Sequence, residues 1–290
     1  VIVKNNYHYP KITKVKKMSS YAFPPGGIPD QSDAPDSTAV FNPAYAVIPS
    51  EVMRDIVTSR LPGWSHTRAW ILARPLSGFA ETFAQYAVEV ARGGGSKHPE
   101  PDPSAEGVLF VASGHGVLLL EEENHELWPG SYVYLPPGIN WQIQNTQSPA
   151  LKFHWVRKQY EPLPDNTPSP AAIVTHDNKV IPTSMPTTDA WTVTNFVDPS
   201  DLAHDMHVSI INFQPGGRIP FAETHVMEHG LYVLEGKASY LLNTDWVEVG
   251  PGDFIWLRAF CPQACIAKAD SSFRYLLYKD VNRHPKLQLF

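Results

Sequence analysis

Four side chains able to bind a metal ion lie close together in the last third of the chain. Glu223 and His225 are separated by one residue, and His229 follows four positions later. If this segment is a regular strand, such even steps place all three side chains on one face, because alternate residues of a strand point the same way. Gln263, eleven residues after Gly252, supplies a fourth candidate ligand. The pattern predicts a metal centre.

The donor types indicate which ion this centre would prefer. Two imidazole nitrogens, one carboxylate and one amide oxygen form a mixed nitrogen and oxygen set, whereas structural zinc sites favour thiolates in a closed tetrahedron. A cation that accepts six ligands would keep two positions for substrate or water. We therefore predict one Mn²⁺ per chain, with Fe²⁺ as the second choice. The alternative, three polar residues inside an apolar barrel, would be costly without a partner for them.

Three further polar residues share the faces that would line this centre. On the last predicted strand, Tyr275 and Lys279 share one face with the apolar residues 273 and 277. On the strand that follows Gly236, Tyr240 shares one face with residues 238 and 242. We expect these three residues to supply hydrogen bonds and a positive charge that would suit a carboxylate. Each of them alone would equally fit a barrel tyrosine at the rim or a surface lysine.

An internal repeat with an offset of 122 residues organises the chain. Gly114 matches Gly236, and the dipeptide 129–130 matches 251–252. Predicted strands are 86–90, 108–112, 117–120 and 131–135 in the first copy, and 208–213, 231–234, 238–242, 254–257 and 273–279 in the second. Short strands separated by regular turns predict an all-β sandwich or barrel in each copy.

The first copy lacks the candidate ligands of the second. Counting back along the repeat, the corresponding positions hold Glu100, Asp102, Glu106 and Trp141. Tryptophan does not bind metal ions, and none of the four is a histidine. We therefore predict that the first barrel is structural and that the second barrel holds the ion.

The repeat and the composition divide the chain into four predicted segments. These are an N-terminal arm over 1–60, a first barrel without metal over 61–160, a proline-rich linker over 161–170 and a metal-binding barrel over 171–290. Ser50 is a possible helix N-cap, so a short helix is expected over 50–61. The arm is expected to pack on the barrels or on a neighbouring subunit.

Composition argues against several classes of function. The 290 residues carry a formal net charge of −6, which gives no reason to expect binding to nucleic acid or to an anionic membrane. No apolar run is long enough for a transmembrane helix. The 28 prolines and 18 glycines favour turns and short strands over helices. Two cysteines, Cys261 and Cys265, cannot form a disulfide framework and are expected to be reduced thiols.

The doubled barrel and the order of its ligands resemble one family. Most cupins carry two histidines, then a glutamate and a distant histidine. Here Glu223 comes first, His229 takes the usual place of the glutamate, and Gln263 replaces the last histidine. This permutation resembles the (S)-ureidoglycine aminohydrolase family, whose members are bicupins, proteins with two tandem jelly-roll barrels. The resemblance covers roughly residues 45–290, and the long arm looks like that of plant members.

The resemblance implies a hydrolase that converts (S)-ureidoglycine to (S)-ureidoglycolate and ammonia in purine catabolism, during the breakdown of allantoin. The metal ligands it implies are Glu223, His225, His229 and Gln263, with Mn²⁺ as the cofactor. The catalytic residues it implies are Glu223, Lys279 and Tyr240, and the substrate contacts are Tyr240, Tyr275, Lys279 and Glu223. A small-molecule ureide as substrate, a homo-oligomer and, from plant members, the endoplasmic reticulum are also implied.

Three alternatives stay open. An Fe²⁺-dependent bicupin dioxygenase is the nearest, and strict dependence on O₂ would distinguish it. A sugar-phosphate isomerase is less favoured, because no cluster of lysines and arginines marks a phosphate pocket. A non-enzymatic storage or sugar-binding bicupin usually lacks a complete ligand set, whereas the second copy has one.

Overall fold

The computed structural model describes residues 20–28, 30, 39–164, 167–186, 188–281 and 283. The basic stretch 11–17 and much of the predicted arm lie outside these residues. Helical segments in the described part are short 3₁₀ turns at Ser50–Val52, Asp55–Val57, Pro75–Ser77 and Asp177–Lys179. No helix in that part is long and apolar enough to span a membrane.

Twenty strands make up most of the fold. In chain order they are β1 (Val40–Phe41), β2 (Tyr45–Ile48), β3 (Trp64–Ala73), β4 (Ala84–Ser96), β5 (Ala105–Ser113), β6 (Gly116–Leu120), β7 (Glu123–Leu127), β8 (Ser131–Leu135), β9 (Trp141–Asn145), β10 (Leu151–Gln159), β11 (Ile173–His176), β12 (Thr183–Met185), β13 (Thr188–Asn195), β14 (Met206–Phe213), β15 (His229–Glu235), β16 (Ala238–Leu242), β17 (Asp245–Val249), β18 (Phe254–Leu257), β19 (Gln263–Ala267) and β20 (Phe273–Asp280). Every strand predicted from the sequence lies within one of them.

The strands form two tandem barrels, as the repeat predicts. The first barrel is a nine-stranded sheet in the order β11-β8-β5-β10-β4-β9-β6-β7, with β3 paired to β4. The second consists of an eight-stranded sheet, β1-β2-β18-β15-β20-β14-β13-β12, and a three-stranded sheet, β17-β16-β19. Residues of both sheets of the second barrel meet in one apolar core. The prediction of an all-β bicupin with an N-terminal extension is confirmed.

Equivalent glycines close equivalent turns in the two barrels. Gly114 and Gly236 both adopt positive φ angles, of 79° and 73°. A Cβ atom on either glycine would lie 2.0 Å from a backbone carbonyl oxygen, that of Ala150 or Ser272 respectively. No other residue type fits so close an approach of two chains. The sequence match at this turn therefore reflects the same backbone geometry in both copies.

Each barrel is extended by a strand from a segment outside its own repeat. β2, in the predicted arm, pairs with β18 of the second barrel. β11 follows the linker and was assigned to the second barrel, but it pairs with β8 of the first. These pairings cover sheet edges that would otherwise present free backbone groups. The helix expected over 50–61 is wrong: this segment forms two 3₁₀ turns, and the backbone N–H of Ser50 donates to Asp253 at 2.8 Å.

A shared core joins the barrels face to face. Along β20, Tyr275 and Leu277 belong to the core of the second barrel, whereas Leu276 and Tyr278 belong to the core between the barrels. Tyr278 stacks on Phe83 of the first barrel with 3.9 Å between ring centroids. Both faces of this strand are buried at its centre, where residues 275–278 are a continuous run of tyrosines and leucines.

Candidate active site

Three neighbouring strands bring His207, Lys279 and His229 into one row at an end of the second barrel. His207 of β14 pairs with Lys279 of β20, and Lys279 pairs with His229 of β15. Ile211 and Leu277, which lie an even number of residues from members of the row, belong to the core of the second barrel. The row therefore faces the interior of that barrel, since alternate residues share a face.

Glu223 and His225 reach this row from the connection between β14 and β15, which is not a regular strand. Glu223 forms an isolated bridge in which its backbone and that of Gln263 exchange two hydrogen bonds of 2.9 Å. The N–H of Phe260 donates to the His225 carbonyl at 2.6 Å. The expectation of a continuous strand is wrong here, and Pro220, which cannot donate to a ladder, lies just before the bridge. These backbone contacts, not even steps along a strand, bring the side chains together.

The side chains of the candidate ligands are in contact. Oε1 of Glu223 lies 3.3 Å from Nε2 of His225, and the rings of His225 and His229 stack with 5.1 Å between centroids. Nδ1 of His229 lies 2.9 Å from the Met227 carbonyl, which can only accept, so Nδ1 carries the hydrogen and Nε2 keeps a free lone pair. Burial, and next the charge of His225, lowers the pKa of His229 to about 3. The imidazole of His229 is therefore neutral at neutral pH.

Two buried tyrosines form a chain of polar contacts with the side chain of Gln263. The Tyr240 hydroxyl donates to Oε1 of Gln263 at 3.1 Å and lies 3.4 Å from the Tyr275 hydroxyl. Burial raises the pKa of Tyr240 and that of Tyr275, so both hydroxyls keep their protons. Tyr240 is thus a partner of a candidate ligand, a role that the sequence analysis did not assign to it.

Lys279 provides the positive charge at this site. Burial lowers the pKa of Lys279, and the nearby carboxylate of Glu223 acts in the opposite direction. The influence of Glu223 means that the ammonium group lies within electrostatic reach of this carboxylate.

The four donors are of the chemical types that bind a divalent cation, but their side chains are not arranged around a common point. A neutral imidazole, a carboxylate and an amide oxygen suit a cation such as Mn²⁺, and the hydrogen bond from His229 to Met227 is the kind that orients metal-binding histidines. However, within the part of the chain that the structure describes, no three His, Cys, Asp or Glu side chains are gathered as a ready-made metal site. Instead, the Glu223 carboxylate is paired with His225.

The strand register corrects one correspondence between the barrels. The pairings of β5 and β15 place Gly107, and not Glu106, at the position of His229. The Glu106 side chain points to the other face, where the Tyr134 hydroxyl donates to it at 2.9 Å. Asp102 is bound to Ser104 in an exposed turn. The prediction was wrong for Glu106 because the repeats differ by one residue before this strand, and a shift of one residue reverses the face.

Bulky or paired side chains occupy the first barrel where the second has its polar site. Arg157, the counterpart of the pocket lysine, is held by Glu100 through two hydrogen bonds, one of them 2.6 Å from Nε to Oε2. Trp141 and Trp155 pack edge to face at 5.7 Å. The indole nitrogen of Trp155 lies 3.1 Å from where a Cβ atom of Gly107 would stand. Indole rings and an ion pair thus take the place of the imidazoles.

His207 is a pocket residue that the sequence analysis missed. It is buried, and its Nε2 has no hydrogen-bond partner among the described residues. The predicted strand 208–213 begins one residue after it. Extending the alternation of Ile211 and Ser209 backwards by one step would have placed His207 on the interior face.

Known proteins resemble this chain over most of its length. The cupin domain family matches residues 209–278. A curated (S)-ureidoglycine aminohydrolase of Arabidopsis thaliana is 31% identical, covering 87% of this chain and 81% of the relative. The enzyme of the same name from Escherichia coli K12 is 29% identical, covering 79% and 86%. A crystal structure of a "Putative Glyoxylate Induced Protein" from Pseudomonas aeruginosa is 58% identical, with a TM-score of 0.87, covering 94% of this chain and 100% of that one.

Proposed function

Because the chain belongs to the (S)-ureidoglycine aminohydrolase family, a family of enzymes, we propose that it releases ammonia from (S)-ureidoglycine to give (S)-ureidoglycolate in purine catabolism. The observation that carries the proposal is the contact cluster of Glu223, His225 and His229, with Lys279 beside it. A small polar molecule at this end of the second barrel would meet a carboxylate, two imidazoles and a cation. That combination suits a substrate that carries an amine and a carboxylate on one carbon.

The proposed cofactor is one Mn²⁺ held by Glu223, His225, His229 and Gln263, with Fe²⁺ as the second choice. The neutral His229 supports this assignment, because a metal-binding imidazole must be deprotonated at one nitrogen. When bound, such an ion supplies positive charge that can anchor the carboxylate and a neighbouring heteroatom of a substrate.

The side chains of the site have separate roles in the proposed reaction. Lys279 binds the substrate carboxylate as a charge-assisted hydrogen-bond donor. Glu223 accepts a proton from water as the water oxygen forms its bond to carbon, and the bond from that carbon to the protonated amine breaks with release of ammonia. Tyr240 acts through Gln263, whose amide oxygen it fixes. The pocket thus orients the substrate and accepts one proton from water, in a reaction whose carbon centre expels ammonia readily.

The test is ammonia release from freshly prepared (S)-ureidoglycine by the Mn²⁺-loaded protein. We expect activity with the wild-type chain, and loss of both metal content and activity with His225→Ala while the unfolding transition is retained. The control is His98→Ala, a change in the first barrel outside the candidate site.

Two results would contradict the proposal. One is ammonia release by His225→Ala at the wild-type rate. The other is strict consumption of O₂ with no ammonia, which would support the dioxygenase alternative. The homo-oligomeric state and the placement in the endoplasmic reticulum stay predictions from the family resemblance.

A further inference from the structure

His207 lies at one end of the row formed by His207, Lys279 and His229, and the candidate metal ligands lie at the other end. Its strand lies on the opposite side of Lys279 from the strand of His229. Because neighbouring strands are about 4.8 Å apart, the backbones of His207 and His229 are separated by about 10 Å. Lys279 stands between them. The row therefore has a metal-type end, a cation in the middle and a second imidazole at the other end.

The His207 imidazole has hydrogen-bonding capacity that the described residues do not use. The residue is 7% exposed, and its Nε2 is buried without a partner. Buried polar atoms are normally paired, so an unpaired one requires an explanation such as a bound ligand. In the first barrel, the indole nitrogen of Trp155 is also without a partner among the described residues, and it lies 3.1 Å from where a Cβ atom of Gly107 would stand.

The surroundings of His207 keep its ring neutral. Burial, and next the charge of Lys279, lowers the pKa of His207 to about 4, with His204 acting in the same direction and Asp201 and Asp198 acting against it. A neutral imidazole offers one donor and one acceptor, whereas an imidazolium offers two donors. His207 is therefore suited to a neutral polar group that both donates and accepts.

The length of the row matches a small ureido acid. From a carboxylate oxygen to the terminal ureido nitrogen, such a molecule spans five bonds, or about 6 Å. With its carboxylate at Lys279 or the adjoining ligand cluster, its ureido group would extend towards one end of the row. The end opposite the metal-type cluster is the one that carries the unpaired Nε2 of His207.

We propose that His207 is a specificity-determining residue that contacts the substrate, its Nε2 accepting a hydrogen bond from the terminal N–H group of the ureido end. This inference rests on the proposed function, because it deepens the same site. It separates the pocket into a part that binds the amino acid moiety and a part that recognises the ureide. A molecule with the carboxylate but without the terminal ureido amide would gain nothing from His207.

Two stable probes test the inference by calorimetric titration of the Mn²⁺-loaded full-length protein. Ureidoacetate carries the carboxylate and the complete ureido group but no leaving amine, and N-acetylglycine has a methyl group in place of the terminal amide nitrogen. We expect His207→Leu to weaken ureidoacetate binding about tenfold, the effect of losing one hydrogen bond in a buried site, and to leave N-acetylglycine binding unchanged. His207→Gln, which restores an acceptor, should recover most of the loss.

A matched control uses another buried histidine. His154, between the barrels, has both ring nitrogens without a side-chain or ligand partner among the described residues. His154→Leu makes the same chemical change outside the pocket and should alter the affinity of neither probe.

The outcomes separate the two proposals. Equal weakening of both probes by His207→Leu, or weakening of neither, would overturn the role of His207, while ammonia release by the wild-type chain would still support the proposed function. If the wild-type chain neither binds ureidoacetate nor releases ammonia from ureidoglycine, both proposals fail.

Discussion

At the scale of single residues, the amide of Gln263 is fixed from two directions. Its backbone pairs with Glu223, and its side-chain oxygen accepts from Tyr240. An amide side chain rotates easily, so these contacts decide which atom it presents to a cation. The tyrosine therefore acts as an outer partner of the ligand, a class of contact that commonly changes metal affinity by 10- to 100-fold.

Tyr240→Phe tests this role. We expect Mn²⁺ affinity to fall by about tenfold, because the amide oxygen of Gln263 loses the donor that orients it. Titration of the apo protein with Mn²⁺ measures the effect. Tyr232→Phe is the matched control, since the Tyr232 hydroxyl is buried without a partner among the described residues and lies outside the pocket. Equal affinities of the Tyr240 variant and the wild type would exclude the role.

Lys279 and Arg157 occupy equivalent positions, and only Arg157 is paired with a carboxylate through two hydrogen bonds in the described structure. Replacing Lys279 by methionine should lower kcat/KM for ureidoglycine by roughly 10- to 100-fold, the effect of losing a charge-assisted hydrogen bond. Replacing Arg157 by methionine should lower the unfolding temperature, because the Glu100 carboxylate loses its cationic partner, without changing kcat/KM. Steady-state ammonia assays and thermal unfolding distinguish the two. An unchanged kcat/KM for the Lys279 variant would remove this lysine from the site.

At the scale of elements, the predicted strands depended on two local signals. The bounds of β8 and β16 were predicted to the residue, because a glycine-containing turn precedes each run and a second turn follows it, through Gly138 after β8 and through Asn243 after β16. The connection that carries Glu223 and the segment after Ser50 were predicted wrongly. In both segments, hydrogen bonds to residues distant in sequence decide the local structure, and local patterns do not contain them.

The register of β5 depends on where the two repeats differ in length by one residue. Aligning the two copies with one fixed offset does not locate this extra residue. Its location decides whether Glu106 or Gly107 faces the interior of the first barrel. The residue types at the site were readable from the sequence, since a Glu-x-His-x3-His segment is a local pattern. Contacts such as that of Tyr240 with Gln263 were not readable, because parity gives only the face of a strand.

The two copies carry a buried carboxylate on the face between the barrels, but with different partners. Glu228 accepts hydrogen bonds from the backbone of Glu81 and Thr82 and from the indole of Trp256. Glu106 accepts one from Tyr134, and its other oxygen is unpaired among the described residues. Burial raises the pKa of Glu106 to about 8, against the lowering effect of that hydrogen bond. Glu106 is therefore protonated in the folded chain at neutral pH.

This difference predicts an unusual dependence of stability on pH. Between the ordinary glutamate pKa of 4.5 and about 8, folded Glu106 retains a proton that the unfolded chain has lost. Its contribution to the free energy of unfolding therefore decreases as pH rises through this window. Glu106→Gln removes the contribution, so its unfolding temperature relative to the wild type should increase from pH 5 to pH 8. Thermal unfolding across that range measures this, and parallel profiles would contradict the assignment.

Glu228→Gln is the internal comparison for this prediction. Because an amide nitrogen cannot accept the hydrogen bonds that converge on Glu228, the variant should be destabilised by about 1–3 kcal/mol. The two substitutions are chemically identical and occupy positions that match along the repeat, Glu106 in β5 and Glu228 directly before β15. Opposite effects on stability at pH 8 would show that the partners of each carboxylate, and not its burial alone, decide its contribution.

At the scale of the whole molecule, a shared apolar core and strands from outside each repeat connect the two barrels. β2 and β11 each complete a barrel from outside its repeat. The apolar residues between the barrels come from both copies and from Tyr21, Ala46 and Met53. A half of the chain expressed alone would expose this face and lose an edge strand. The first barrel therefore supports the site in the second barrel without contributing a candidate ligand.

Phe83→Ala tests whether the two barrels unfold together. The Phe83 ring stacks on Tyr278 and covers Gly230, where a Cβ atom would lie 2.6 Å from it. Removing a fully buried aromatic ring costs about 3 kcal/mol or more, so the unfolding temperature should fall. If the shared core couples the barrels, calorimetry will show one transition for the wild type and one shifted transition for the variant. Trp246→Ala, at an exposed position of the second barrel, should leave the transition unchanged. Two transitions in the variant, with the second barrel unaffected, would mean that the barrels are stable separately.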